Sequence, residues 1–109
     1  MNEPVNLSNF RSMTEGNTEL EKQLFGEFFT SFGAGLRLLQ VSCVDSAAST
    51  WRRQAHALKG ITLNLGAVQL STLCRKAQEA PEAPESVKRE MLTNIQAEYE
   101  RVKEYLQKM

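Results

Sequence analysis

The sequence has few residues that could bind a metal ion, and it has no excess of positive charge that would favour binding to nucleic acid. It contains one histidine and two cysteines, Cys43 and Cys74, which do not form a CxxC pair. We therefore expect no metal site, and we expect two buried, reduced thiols unless two helices bring them together as a disulfide. Lysine plus arginine number 13 and aspartate plus glutamate 13, so no net charge favours nucleic acid or a membrane surface as partner.

Long apolar runs are also missing from the 109 residues. No stretch approaches the roughly 20 apolar residues that cross a bilayer, and the polar start, Met1-Asn2-Glu3-Pro4, lacks the pattern of a signal peptide. We expect a cytoplasmic protein with no membrane segment. Its length predicts a single domain over residues 1–109.

The spacing of apolar residues predicts an all-α chain, because no segment alternates apolar and polar residues with the period of a strand. A short helix is expected over residues 7–13, ending near Gly16. Thr18 and Glu21 form a capping-box pattern that would open a second helix. The apolar face of this second helix comprises Leu20, Leu24, Phe28, Phe32, Leu36 and Leu39. Gly33 and Gly35 interrupt it and predict a kink or a close helix contact.

Three more helices follow in the sequence. Asp45 or Ser46 would cap a third helix that ends near Gly66, and a fourth is expected over residues 67–80. The two prolines in residues 80–85 predict a linker before a fifth helix that reaches the C-terminus. The predicted buried positions are Trp51, Ala55, Leu58, Thr62 and Leu65, then Leu70, Leu73, Cys74 and Ala77, then Val87, Met91, Ile95, Tyr99, Val102 and Leu106. The expected fold is an antiparallel four-helix bundle with a short extra N-terminal helix.

His56 is predicted to lie on the exposed side of the third helix, because helical phase places it well away from the buried face. An exposed neutral imidazole is a nucleophile, and the surrounding cations would stabilise an added anion such as a phosphoryl group. Gly60 is unfavourable inside a helix, which is explained if a side chain there would block an approaching protein. The residues around His56 are Arg52, Lys59, Gly60 and Leu63, with Arg53 on the outer flank.

The run His56-Ala57-Leu58-Lys59-Gly60, with Leu65-Gly66-Ala67, Leu70 and Leu73-Cys74 after it, closely resembles the signature of histidine phosphotransfer domains. These domains belong to bacterial-type two-component phosphorelays. The resemblance implies a four-helix bundle whose histidine accepts a phosphoryl group from a receiver-domain aspartate and passes it to another receiver. The sequence departs from the family pattern at Ile61 and Thr62, where two small residues are usual, and at Ala77, where a larger apolar residue is common.

Carried onto this chain, the resemblance makes His56 the phosphorylated residue, at its outward Nε2 atom. Lys59 would stabilise the phosphoryl group, and Gly60 would leave room for the receiver. Gln78 would orient the imidazole through Nδ1, although a solvent-facing glutamine is an equal alternative. Arg52, Arg53 and Leu63 would contact the partner.

The expected partners are the receiver domains of response regulators and hybrid histidine kinases, which would supply the Mg²⁺ that this chain does not bind. The chain has no glycine-rich phosphate loop, so we expect no ATP binding and no autokinase activity. The initiating methionine favours a stand-alone protein, and we expect a monomer. Two alternatives stay open, namely a helical-bundle module that docks on a histidine kinase or receiver and inhibits it, and an ordinary structural bundle.

Overall fold

The chain is all-helical in the computed structural model, which describes residues 3–44 and 47–108. Five helices and no strand occur within these residues. None of the described helices is long and apolar enough to cross a membrane. The helices are α1 (Ser8–Thr14), α2 (Thr18–Val41), α3 (Ala48–Leu65), α4 (Val68–Gln78) and α5 (Glu85–Gln107).

The start of α2 differs from the predicted capping box. Asn17 is the N-cap, and its side-chain oxygen accepts a hydrogen bond from the Leu20 backbone N–H at 3.1 Å. The Glu21 carboxylate instead accepts a hydrogen bond from the Thr14 hydroxyl at 2.7 Å, which links α1 to α2. The prediction that Thr18 caps this helix was therefore wrong, because asparagine one residue earlier supplies the same acceptor.

The turn between α3 and α4 has the predicted glycine stop. Gly66 has a φ of 96°, the left-handed conformation that glycine adopts without strain. Its carbonyl accepts a hydrogen bond from the Asn6 backbone N–H at 2.9 Å, and a Cβ atom at Gly66 would collide with the Asn6 carbonyl oxygen. This close approach lets Val5 and Leu7 become buried. The expected caps of α3, Asp45 and Ser46, lie outside the described residues.

The four longer helices contact one another in a closed cycle. Helix α3 packs between α2 and α4, and α5 packs against both α4 and α2. Helix α1 packs on α2, where the rings of Phe10 and Phe25 stack with their centroids 5.2 Å apart. Every predicted core position of α3 is buried, as are Phe28, Phe32, Leu36 and Leu39 of α2. The apolar spacing therefore identified the packed faces of α2 and α3.

The predicted apolar stripes were wrong at two helix starts. Leu20 is 38% exposed in the first turn of α2, and Val87 is 40% exposed near the start of α5. Lys88 takes the buried position of that turn of α5 and is only 1% exposed. Relative to Ile95, Val87 is rotated by about 80° around the helix and Lys88 by about 20°, so helical geometry favours the lysine. Leu24, Leu73 and Met91 are half-buried at the edge of the core.

The two interior glycines of α2 have different surroundings, and α2 runs through both of them without a break. A Cβ atom at Gly35 would lie 2.6 Å from Cδ2 of the buried Leu58 on α3, whereas one at Gly33 would meet nothing within 4 Å. The predicted close helix contact is therefore confirmed at Gly35. No kink is needed to explain Gly33.

Alanine at these two glycines is expected to change stability in opposite directions. Gly33→Ala should raise the free energy of unfolding by about 0.5–1 kcal/mol, because alanine loses less backbone entropy in a helix. Gly35→Ala has the same entropic gain but must displace Leu58, and overpacking costs about 1–3 kcal/mol, so a net loss of about 1 kcal/mol is expected. Urea denaturation of the two variants measures both effects. Equal stabilisation by both would contradict the close contact.

Both cysteines are free and buried, as predicted. The Cys43 Sγ atom donates to the Gln40 carbonyl at 3.2 Å. Burial raises the pKa of the Cys74 thiol from an ordinary value of 9.0 to about 12, because the thiolate would lie in an apolar core. The Cys74 thiol therefore stays protonated at any physiological pH.

We expect iodoacetamide at pH 9 to leave Cys74 of the folded protein unmodified, since the thiolate is the reacting species. The same treatment in guanidinium chloride should alkylate it, because unfolding restores the ordinary pKa of the thiol. Mass spectrometry of the peptide that contains Cys74 measures both reactions. Similar alkylation rates in the folded and unfolded protein would show that this part of the core opens readily.

Candidate functional site

His56 lies in the middle of α3 on the side that faces solvent. The opposite side of the helix is anchored by Trp51, Ala55 and Leu58, which are all buried. Because the helix is fixed through that face, the imidazole is held at the surface of the protein without being enclosed. The prediction that His56 is exposed is confirmed.

Gln78, the last residue of α4, contacts the imidazole. Its side-chain amide lies 3.0 Å from Nδ1 of His56 and is half-buried. The two helices approach closely here because the indole N–H of Trp51 donates to the Ala77 carbonyl at 2.7 Å. Gln78 therefore contacts His56 and is not a purely solvent-facing residue, and its role in orienting the imidazole stays a prediction.

The Gln78 amide can be placed in two orientations that differ by half a turn about its last bond, and the structure has the first of them. In one orientation Nε2 faces His56, and the buried Oε1 atom has no partner within the described part of the chain. In the other orientation Oε1 faces Nδ1 and accepts a hydrogen bond from an Nδ1–H. The amide oxygen and nitrogen are nearly equal in size, so both orientations fit the same space, and each goes with one tautomer of the histidine.

A depression of about 320 Å³ opens beside the imidazole. Its lining is basic and polar, so it suits an anion. Ser49 was not predicted, although it precedes His56 by seven residues, which is about two helical turns and therefore the same face. The lining residues are Ser49, Arg52, Arg53, His56 and Gln78.

Lys59 and Gly60 lie on the other side of the imidazole along the helix. Lys59 is half-buried and does not line the depression, which separates it from the two arginines. Gly60 is exposed, and a Cβ atom there would meet nothing within 4 Å, so the glycine leaves open space in front of the helix. Leu63 is 55% exposed one turn further on and extends this surface with an apolar side chain.

The departures at Ile61 and Thr62 affect packing and not the exposed face. Thr62 is buried, and its hydroxyl donates to the carbonyls of Leu58 and Lys59, each at 2.9 Å. Ile61 is half-buried against the core. Ala77, the third departure, is fully buried and presents its carbonyl to Trp51. None of the three lines the depression beside His56.

Metal ligands are not grouped anywhere in the ranges 3–44 and 47–108. No three side chains of histidine, cysteine, aspartate or glutamate come together there in a way that would hold an ion. The groups that come together at the site are one imidazole, one amide and nearby cations.

Comparison with known protein families gives a match over most of the chain. The family model of the Hpt domain matches residues 23–105, which include α3, α4 and almost all of α5. No curated protein and no solved structure matches the chain significantly. The matched segment covers well over half of the sequence and contains both His56 and Gln78. This protein therefore belongs to the Hpt domain family, whose members take part in histidine phosphotransfer in two-component phosphorelays.

Proposed function

We propose that this protein is a phosphorelay intermediate, in which His56 accepts a phosphoryl group from a receiver-domain aspartate and passes it to another receiver domain. One observation carries the proposal, namely the Gln78 amide 3.0 Å from Nδ1 of an exposed imidazole, beside a basic depression. A histidine held through one ring nitrogen leaves the other nitrogen available to a partner.

The transfer step follows from this arrangement. With Nδ1 protonated and donating to Gln78 Oε1, the lone pair of Nε2 points outward. That lone pair attacks phosphorus, the Nε2–P bond forms, and the P–O bond to the aspartate breaks, so the carboxylate leaves with its electron pair. The imidazole becomes an imidazolium that keeps its Nδ1 proton, so no separate base is needed. The reverse sequence passes the group to the next receiver.

Charge around the imidazole supports the phosphorylated state. Arg52 and Arg53 line the depression in which a phosphoryl group on His56 would lie, and Lys59 is the next cation along α3, outside the depression. Guanidinium and ammonium groups form strong hydrogen bonds with phosphoryl oxygens. We assign the Mg²⁺ of the reaction to the receiver domain, since phosphoryl transfer needs charge neutralisation that this chain provides only in part.

Docking of the receiver is assigned to the open surface at Gly60 and the exposed Leu63, with Arg52 and Arg53 at its edge. Apolar contacts near the centre and cations near the rim are typical of a transient complex that is steered by charge. We further infer that α2 to α5 form an antiparallel four-helix bundle, that residues 1–109 are one domain, and that the protein is a cytoplasmic monomer. The closed cycle of helix contacts supports the bundle.

His56→Gln is expected to abolish acceptance of a phosphoryl group, because glutamine has no nucleophilic ring nitrogen. The fold should be retained, because the side chain is exposed. Incubation with a receiver domain that carries a radiolabelled phosphoryl group measures transfer, and circular dichroism measures the fold. Acid-labile label on the folded His56→Gln variant would overturn the proposal, as would absence of label on the unaltered protein.

Gly60→Ala is expected to separate stability from function. The variant should gain about 0.5–1 kcal/mol in free energy of unfolding, while its transfer rate falls about tenfold because the methyl group holds the receiver away from His56. Gly26→Ala is the matched control, since Gly26 is also an exposed helical glycine at which an added Cβ atom would meet nothing within 4 Å. It lies on α2, about 160° around the helix from the buried Phe28.

Urea denaturation and the receiver assay measure the two quantities on the same preparations. Equal transfer rates for Gly60→Ala and Gly26→Ala would remove Gly60 from the docking surface.

A further inference from the structure

Lys88 is a fully buried lysine that the transfer step does not use. Only 1% of it is exposed, and its ammonium group donates to the Pro81 carbonyl at 2.6 Å. The same Nζ atom lies over the Trp51 ring, 5.2 Å from its centroid. Lysine is almost never buried unless it is paired, because an ammonium group loses its hydration in the core. Trp51 belongs to α3 and contacts Ala77 in the last turn of α4, and Pro81 lies just beyond the end of that helix.

Side chains from the two neighbouring helices, α3 and α5, form hydrogen bonds with the C-terminal end of α4. Trp51 on α3 donates its indole N–H to the Ala77 carbonyl, and Lys88 on α5 binds the Pro81 carbonyl just beyond the helix. The last carbonyls of a helix have no partner within the helix, and the final turn frays easily. These two hydrogen bonds, joined through the cation–π contact, therefore fix the turn that carries Gln78.

We propose that Lys88 is a positioning residue for the reaction at His56. Through Trp51 and the last turn of α4, it keeps the Gln78 amide 3.0 Å from Nδ1 of His56. In the amide orientation that turns Oε1 towards the ring, this hydrogen bond favours a proton on Nδ1 and leaves the lone pair on Nε2. This inference rests on the proposed function only in naming Nε2 as the atom that reacts, since the effect of Lys88 on the tautomer is a property of the free protein.

A small phosphoryl donor tests the proposal without any partner protein. In phosphoramidate the phosphorus carries an ammonia leaving group. The lone pair of a histidine nitrogen attacks phosphorus, the N–P bond to His56 forms, and the bond to the ammonia nitrogen breaks, which releases ammonia. The reaction rate therefore reports how well the imidazole of His56 presents its lone pair.

Lys88→Met is the central variant, because methionine keeps much of the side-chain length over Trp51 but has neither charge nor donor. We expect phosphoramidate labelling of His56 to slow about fivefold, as for the loss of one hydrogen bond. The ¹⁵N shifts of the imidazole should move from a predominant Nδ1–H tautomer towards a mixture. Lys103→Met is the matched control, since Lys103 lies on the same helix with its Nζ atom 6.0 Å from the centroid of the Tyr99 ring. It should change neither quantity.

A double-mutant cycle with Gln78→Ala shows whether Lys88 acts through Gln78. Gln78→Ala alone should slow labelling and mix the tautomers. If Lys88 acts through Gln78, adding Lys88→Met to Gln78→Ala should cause no further slowing, although it should still lower stability. A general loosening of the fold would slow labelling by the same factor in both backgrounds.

The outcomes separate this inference from the proposed function. Equal slowing of labelling in both backgrounds, or unchanged ¹⁵N shifts in Lys88→Met, would show that Lys88 only stabilises the fold. Either result would overturn the inference without affecting the proposal that the unaltered protein transfers a phosphoryl group. Failure of the unaltered protein to accept phosphate from a receiver would overturn the function, and the tautomer measurement would still test the positioning. If Lys88→Met does not fold in urea-denaturation controls, Trp51→Phe takes its place. It removes the donor to Ala77 and keeps an aromatic ring, and the same results are expected.

Discussion

The hydrogen bond from the Trp51 indole to the Ala77 carbonyl is the contact on which the site depends. At 2.7 Å it joins α3 to the last turn of α4 inside the core, where no water competes for either group. A buried indole N–H without a partner would be costly, so the two helices keep this register. His56 and Gln78 each lie on the outward side of the same two helices, close to this bond. Their contact at the surface is therefore a consequence of a buried interaction.

Much of the fold and the location of the site could be predicted from the sequence, because both depend on periodicity. The five helices and the buried faces of α2 and α3 follow from apolar residues at three- and four-residue steps. The same helical phase placed His56 on the exposed side of α3. Gly66, with its positive φ, ended that helix as expected, because few other residues adopt this conformation.

What the sequence did not reveal depends on contacts between distant residues. Lysine is normally a surface residue, so the prediction assigned Val87 to the core in place of Lys88. The burial of Lys88 depends on its hydrogen bond to a carbonyl in the preceding linker, which the spacing of apolar residues does not show. Similarly, Asn17 caps α2, and the Glu21 carboxylate that a capping box would use binds the Thr14 hydroxyl of α1 instead. The depression lined by Ser49 requires α4 to lie beside α3, and one helix considered alone does not show it.

The N-terminal segment has a consequence for where the folded unit begins. The family match starts at residue 23, yet Val5, Leu7 and Phe10 are buried, and the Asn6 backbone is hydrogen-bonded to Gly66. The packed part of the chain thus begins before the first residue of the family match. The additional N-terminal segment covers the turn between α3 and α4. A fragment trimmed to the matched residues would expose that turn and the apolar side chains beneath it. For this protein, the part of the chain that packs together in the fold is longer than the part that carries the sequence pattern of the family.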